Sequence, residues 1–236
     1  MIQIGSNSSS LREALSAHYD GHIISADSFY LTVDLPAEPL SNDLSAVLLE
    51  RLLPRILLNA IAESEAHTAE EQEFLADAVS SELLRNGSAE RFQSILSGAI
   101  LDLLSESSRI NIEGLLYFRL RSELSDFYLQ TANLIENYRK HFEKNRLLQK
   151  LSNYIRERAP QIEFLKVIGD ASGFQLLDAD NKLIRCIFRE DYTPEEHLLN
   201  SLLYLSPMTL DLSGFDHPEL KNILEDIFSD RILEKD

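Results

Sequence analysis

"APQIEFLKVIGDASGFQLLDADNKLIRCIF", residues 159–188, is where the hydrophobic period of this chain changes. Before Pro160, apolar residues recur at steps of three and four. Beyond it come three short runs, IEFLKVI, GFQLLD and KLIRCIF, joined by GDAS and DADN. Gly, Asp, Asn and Ser supply the chemistry of tight turns, and β-branched or aromatic runs bounded by such residues read as strands. Helices in one block and strands in another define a mixed α+β protein.

Working outward toward the C-terminus, Thr193, Pro194, Glu195 and Glu196 announce a helix. Thr193 is the N-cap, Pro194 the first helical residue and Glu196 the acid of a capping box. The helix EEHLLNSLLYLS stops at Pro207, MTLDLSG reads as a strand, and HPELKNILEDIFSDRIL is amphipathic. Residues 161–236 therefore read as a β-β-β-α-β-α unit.

Upstream, residues 38–160 form a helical region that reads as a bundle. Leu44, Val47, Leu48, Arg51 and Leu52 open one helix, which Pro54 is expected to kink because its ring removes a donor and crowds the preceding turn. Thr68 and Glu71 make a second capping box, and RNGS places Gly87 as a C-cap with Ser88 as the next N-cap. The longest helical pattern starts near Asn111 and carries Leu116, Leu120, Leu124, Phe127, Leu134, Tyr138 and Phe142 on one face. About 45 residues is long for a globular helix, so a break near Asn145 is expected. Residues 1–37 read as β-α-β: IQI, SSLREALSAHY and HIISADSFYLTVDL, ended by LPAEP. A sheet shared between the first and last parts, with the helices as an insertion, is one arrangement this order allows.

The chain has 236 residues, 22 of them basic and 39 acidic, for a net charge of -17. That balance repels phosphate backbones and anionic lipid heads, which argues against nucleic-acid and membrane-surface partners. The charge is uneven: residues 1–108 carry -12, residues 109–160 carry +4, and residues 161–236 carry -9. The basic middle either pairs internally or forms a docking surface, and a solvated helix face is the plainer reading. A lone cysteine, Cys186, fits a reducing compartment. The start MIQIGSNSSS lacks the basic and apolar segments of a signal peptide. LSAVLLERLLPRILLNAIA is interrupted by Glu50, Arg51, Pro54 and Arg55, which excludes a spanning helix. The expected location is the cytoplasm.

No residue pattern points to a reaction. IQIGSNSSSLRE puts a Gly/Ser loop, Gly5–Ser10, between strand and helix, where amides hold phosphates in other proteins, but it lacks a P-loop lysine and dinucleotide glycine spacing. His18 and His22 have a metal-ligand spacing that Asp20–Gly21 should break. Asp178 and Asp180 open like a calcium loop, yet Lys182 and Leu183 occupy positions that need an oxygen ligand and a glycine. Asp180–x–Lys182 lies in a turn rather than along a nuclease strand, with no further acid before Glu190. The acidic run from Glu63 to Asp77 reads as an exposed helix face. No catalytic, cofactor-binding or metal-binding residue is assigned.

One stretch remains, NIEGLLYFRL at 111–120. Asn111 should cap a helix, Glu113 should complement the positive end of its dipole, and Gly114 should mark close packing. This stretch, followed by LLQKLSNYIRERAPQIEFLKVI, HLLNSLLYLSPMTLDLSG and ILEDIFSDRI in that order, resembles the YtxC-like sporulation proteins of endospore-forming bacteria. Leu115 and Leu116 depart from the family's aromatic or mixed pair. The resemblance covers about 108–233 and implies a cytosolic protein of a spore-former, with no implied reaction or cofactor. The expected role is a non-catalytic protein-interaction component, bound to an unidentified protein partner or to a second copy. Its contact residues are expected among Glu113, Arg119, Arg121, Arg139 and Lys140, and its binding should weaken with salt. The alternative is a small-molecule or nucleotide-binding regulator or enzyme, using Gly5–Ser10 or a cleft at the C-terminal sheet.

Overall fold

The computed structural model describes residues 1–66, 68–170, 173–185 and 192–233. They form an α+β fold in two compact units, Met1–His141 and Phe142–Asp236. Cys186 and Glu190 lie outside the described residues.

The first unit opens with β1 (Ile2–Gly5) and α1 (Ser9–His18), followed by a 3₁₀ turn at Asp20–His22 and the strands β2 (Ile23–Ala26) and β3 (Tyr30–Val33). The sequence suggests one strand here, and the structure has two. The carboxylate of Asp27 accepts hydrogen bonds from the amides of Phe29 and Tyr30, which folds the segment into a hairpin. Next come α2 (Ala37–Glu63), α3 (Ala69–Arg85), α4 (Ser88–Glu106) and a short strand, β4 (Arg109–Asn111). α2 starts earlier than LPAEP suggested. Pro36 is its N-cap and Pro39 lies in the first turn, where amides have no intrahelical partner to lose. Thr68 caps α3, accepting from the Glu71 amide. Gly87 adopts the left-handed conformation before α4, and Ser88 is the first residue of that helix rather than its cap.

The sheet order is β2-β3-β1-β4, with β4 parallel to β1. Among the described residues these strands pair with none after residue 160, so the sheet shared between the chain's two ends does not form. β4 takes the place beside β1 instead. Ile2, Ile4, Leu31, Val33 and Ile110 point inward to a core completed by Leu15, Leu44, Leu48, Val79, Leu96 and Phe127. On the outer face the Tyr30 ring lies over Gly5, where a Cβ would fall 2.3 Å from it, and Arg109 stacks on the ring at 4.8 Å.

A short helical turn, α5 (Ile112–Gly114), leads into five residues, Leu115–Arg119, wound as a π-helical turn. α6 (Arg121–Glu157) follows. The expected break near Asn145 is absent. Residues 143–151 are Lys, Leu, Gln, Glu, Arg and Asn with no glycine or proline, and nothing there opposes a helix. The break occurs earlier, at Leu115–Leu120.

The second unit contains the end of α6, then β5 (Ile162–Asp170), β6 (Gly173–Leu177), β7 (Leu183–Ile184), α7 (Pro194–Leu205), β8 (Pro207–Asp216) and α8 (Pro218–Ile227). Its sheet order is β7-β6-β5-β8, with β5 parallel to β8 through the α7 crossover. Thr193 and Glu196 form the full capping box. In the β6–β7 turn, Asp178 accepts from the amides of Asp180 and Lys182, the turn role that competed with a calcium loop. Gly169, at φ 130, has the carbonyl of Gly173 2.2 Å from where a Cβ would stand, so only glycine fits. Arg231 closes the unit. Its guanidinium donates to the carbonyls of Ile155 and Arg158 at the end of α6, and to Ser206 and Pro207 beyond α7. One rigid cation thus satisfies open carbonyls at the end of α6 and ties them to the junction between α7 and β8.

Candidate functional site

The Gly/Ser loop, α2 and the residues after β4 meet in a cleft of about 550 Å³ in the first unit. Asn7, Ser8, Ser10 and Leu11 form one side, and Glu50 to Arg55 of α2 form another. Ile112, Glu113, Leu116 and Tyr117 complete it. Its surface is predominantly apolar, a size and character common to binding clefts.

The loop holds an anion, and that anion belongs to the chain. The Ser6 hydroxyl donates to Glu113 Oε1 at 2.6 Å and the Asn7 amide to the same oxygen at 2.9 Å. The Ser8 amide donates to Ser6 Oγ, and Arg12 donates to the Ser6 carbonyl at 2.6 Å. Ser8 then caps α1. Burial opposes the charge on Glu113, but the Ser6 hydroxyl and the amides of Glu113 and Asn7 outweigh it and hold the carboxyl below its usual range. Ser6 is only 2% exposed, with its hydroxyl engaged on both sides, so it serves as a strut and not as a nucleophile.

Asn111 caps α5, its side chain accepting from the Gly114 amide at 2.6 Å. Gly114 is an ordinary helical residue. The space its missing Cβ leaves is filled by the Asn111 cap, 3.1 Å away, rather than by a neighbouring backbone. The Leu120 amide then reaches back five residues to the Leu115 carbonyl. Such a turn inserts one residue into the helical register. Leu115 and Leu120 can both be buried as a result, while the residues between them swing out: Tyr117 is 66% exposed and Phe118 87%.

On α2, Arg51 and Arg55 stand one turn apart and exposed, and neither makes a hydrogen bond or ion pair with a described residue. Pro54, between them, supplies no amide to the Glu50 carbonyl.

The five residues expected to make contacts are dispersed. Glu113 is in the cleft. Arg119 is exposed and pairs with Glu106 at 2.7 Å, and Arg121 lies beside Phe118 in a neighbouring recess. Arg139, its side chain 12% exposed, pairs with Glu136 and Glu65, and Lys140 also pairs with Glu136. The sequence places Ser6 within the Gly5–Ser10 loop but not as the partner of Glu113, and it does not single out Arg51, Arg55 or the aromatic pair as site residues. The π turn leaves no clear trace in the sequence, because Leu116 and Leu120, four apart, fit an ordinary helical face. Elsewhere His18 ends α1 and pairs with Asp43, while His22 lies in the following turn. No group of metal-holding side chains occurs among the described residues.

The described residues thus form a two-unit α+β protein whose first unit carries an internally occupied anion loop beside an open, mostly apolar cleft. The chain is matched by the YtxC-like family over residues 39–233, and it belongs to that family. The match reaches back into α2 and so includes Arg51, Pro54 and Arg55, well before the stretch that carried the resemblance. No curated protein and no solved structure matches the chain. Among the described residues no helix is long and apolar enough to cross a membrane.

Proposed function

We propose that this chain is a non-catalytic protein-interaction component in the sporulation setting of its family, with its contact surface centred on the π turn and the adjoining cleft. The observation that carries this reading is the adjacent pair Tyr117 and Phe118, 66% and 87% exposed at the tip of a turn anchored on both sides. Holding two large aromatic side chains in water forgoes burial worth about 1.5–3 kcal/mol each, and exposed aromatics on rigid supports are typical anchors of protein interfaces. Arg119, paired with Glu106, and Arg121 follow the pair, and the recess that Phe118 borders also holds Glu123 and Asp126. Arg139 is engaged by Glu136 and Glu65, and Lys140 by Glu136, within the first unit.

Of the alternative reading, a small-molecule or nucleotide-binding regulator or enzyme using Gly5–Ser10 or a cleft at the C-terminal sheet, the form with a phosphate at Gly5–Ser10 is opposed by electrostatics. A phosphate at that loop would face the Glu113 carboxylate and compete for amides already in use.

The test is a photo-crosslinking amino acid at position 118, introduced into the protein in sporulating cells, with position 94 of the exposed α4 face as control. A discrete cross-linked protein at 118, whether a partner or a second copy, is the expected result. Equal labelling at both positions would overturn the reading.

A further inference from the structure

The cleft beside the π turn carries a specification for what docks in it. The first 108 residues contain 17 acidic and 5 basic side chains, so a cation there has carboxylates in abundance to pair with. Arg12 is held by the Ser6 carbonyl and Arg85 by Glu82, while Arg91 is exposed on α4, away from the cleft lining, with no side-chain bond to a described residue. Arg51 and Arg55 line the cleft, one helical turn apart, and pair with no described residue. The carboxylate across the cleft, Glu113, is committed to Ser6 and Asn7. Glu50 lies in the adjacent row of α2, that of Pro54, and not in the arginine row. The cleft therefore offers an apolar floor of Leu11, Ile112 and Leu116 with two uncommitted guanidiniums along one wall.

Resting on the interaction reading above, we infer that the cleft receives a segment of a partner protein that presents an apolar side chain to this floor and carboxylates to Arg51 and Arg55. A protein segment fits better than a small acid. Tyr117 continues the cleft onto Phe118, which borders a separate recess, so a ligand confined to 550 Å³ would leave that ring in water. The two arginines supply planar, two-pronged carboxylate recognition, and the floor supplies the desolvated anchor.

The experiment uses the purified full chain as bait for a random peptide library displayed on phage. Enriched peptides are expected to combine Asp or Glu with a nearby Leu, Ile, Phe or Trp. Their affinity should fall at least about tenfold in Arg51→Glu/Arg55→Glu and weaken with added salt. A companion variant, Arg51→Gln/Arg55→Gln, loses the charge without reversing it, and both arginines are exposed and pair with no described residue, so neither variant is expected to lower the melting temperature. Enrichment of basic or neutral peptides, unchanged affinity in the reversed variant, or no enrichment at all would each overturn this inference. The interaction reading stands or falls separately, on cross-linking from position 118.

Discussion

At the scale of single residues, Glu113 does the most. Replacing it with alanine leaves the buried Ser6 hydroxyl and the Asn7 amide without their acceptor, at an expected cost of about 2 kcal/mol. Glu113→Gln should recover only part of this, because its amide nitrogen would occupy the position of Oε2, which is buried and already lacks a partner. Urea unfolding of the three proteins measures the ranking; equal midpoints would refute the strut role. The sign of the pH effect follows from the lowered carboxyl. A group whose folded pKa lies below its unfolded value contributes fully above the unfolded pKa and loses its contribution as pH falls through the folded one. Asp211, which burial opposes but Ser213 and Lys166 hold ionised, acts in the same direction. Stability should therefore decline on acidification below about pH 4, and the decline should be shallower in Glu113→Ala. The role of Glu113 was half legible in the sequence. Its position at a helix start is a local fact. Its bond to Ser6, across 107 positions, has no local trace.

Among the elements, the π turn is the one whose removal separates stability from interaction. Deleting Phe118 brings Leu115 and Leu120 to a spacing of four, which turns the five-residue reach into an ordinary helical bond and keeps both leucines on the buried face. Such a deletion should leave the protein folded, at or above its original melting temperature, while abolishing partner cross-linking from a probe moved to position 117. A cooperative loss of structure on deletion would mean that the turn supports the core. The elements that sequence alone made legible are those with local chemistry: the Thr193 cap, the Asp178 turn and the strands after Pro160. β4, with three residues, is too short to display a period, and only its pairing with β1 makes it a strand. The hairpin at Asp27 was hidden because its two strands and its turn read as one β-rich run. The continuous α6 was misjudged from length, when composition contained no breaker.

For the whole molecule, two cores share no buried residue: one draws on Ile2 through Ile135, the other on Ile155 through Phe228. A cavity in the first should be felt there. Leu44→Ala is expected to cost about 2–5 kcal/mol. In hydrogen exchange, protection should fall in β1, β3 and α4 while β5 and β8 hold theirs; equal loss in both sheets would show that the cores unfold as one. The arrangement of strands into two sheets rather than one was not legible from strand order, since order does not say which edge a strand joins. The internally bound carboxylate has a further consequence for ligands in solution. Glu113 is a tethered competitor, present at the loop at an effective concentration set by the fold rather than by the cell. Any free anion seeking those amides must outcompete a ligand that never diffuses away. On the proposed reading the loop is thereby expected to resist fluctuating pools of phosphates and organic acids, which leaves the open cleft beside it to distinguish partners by shape and by its two arginines.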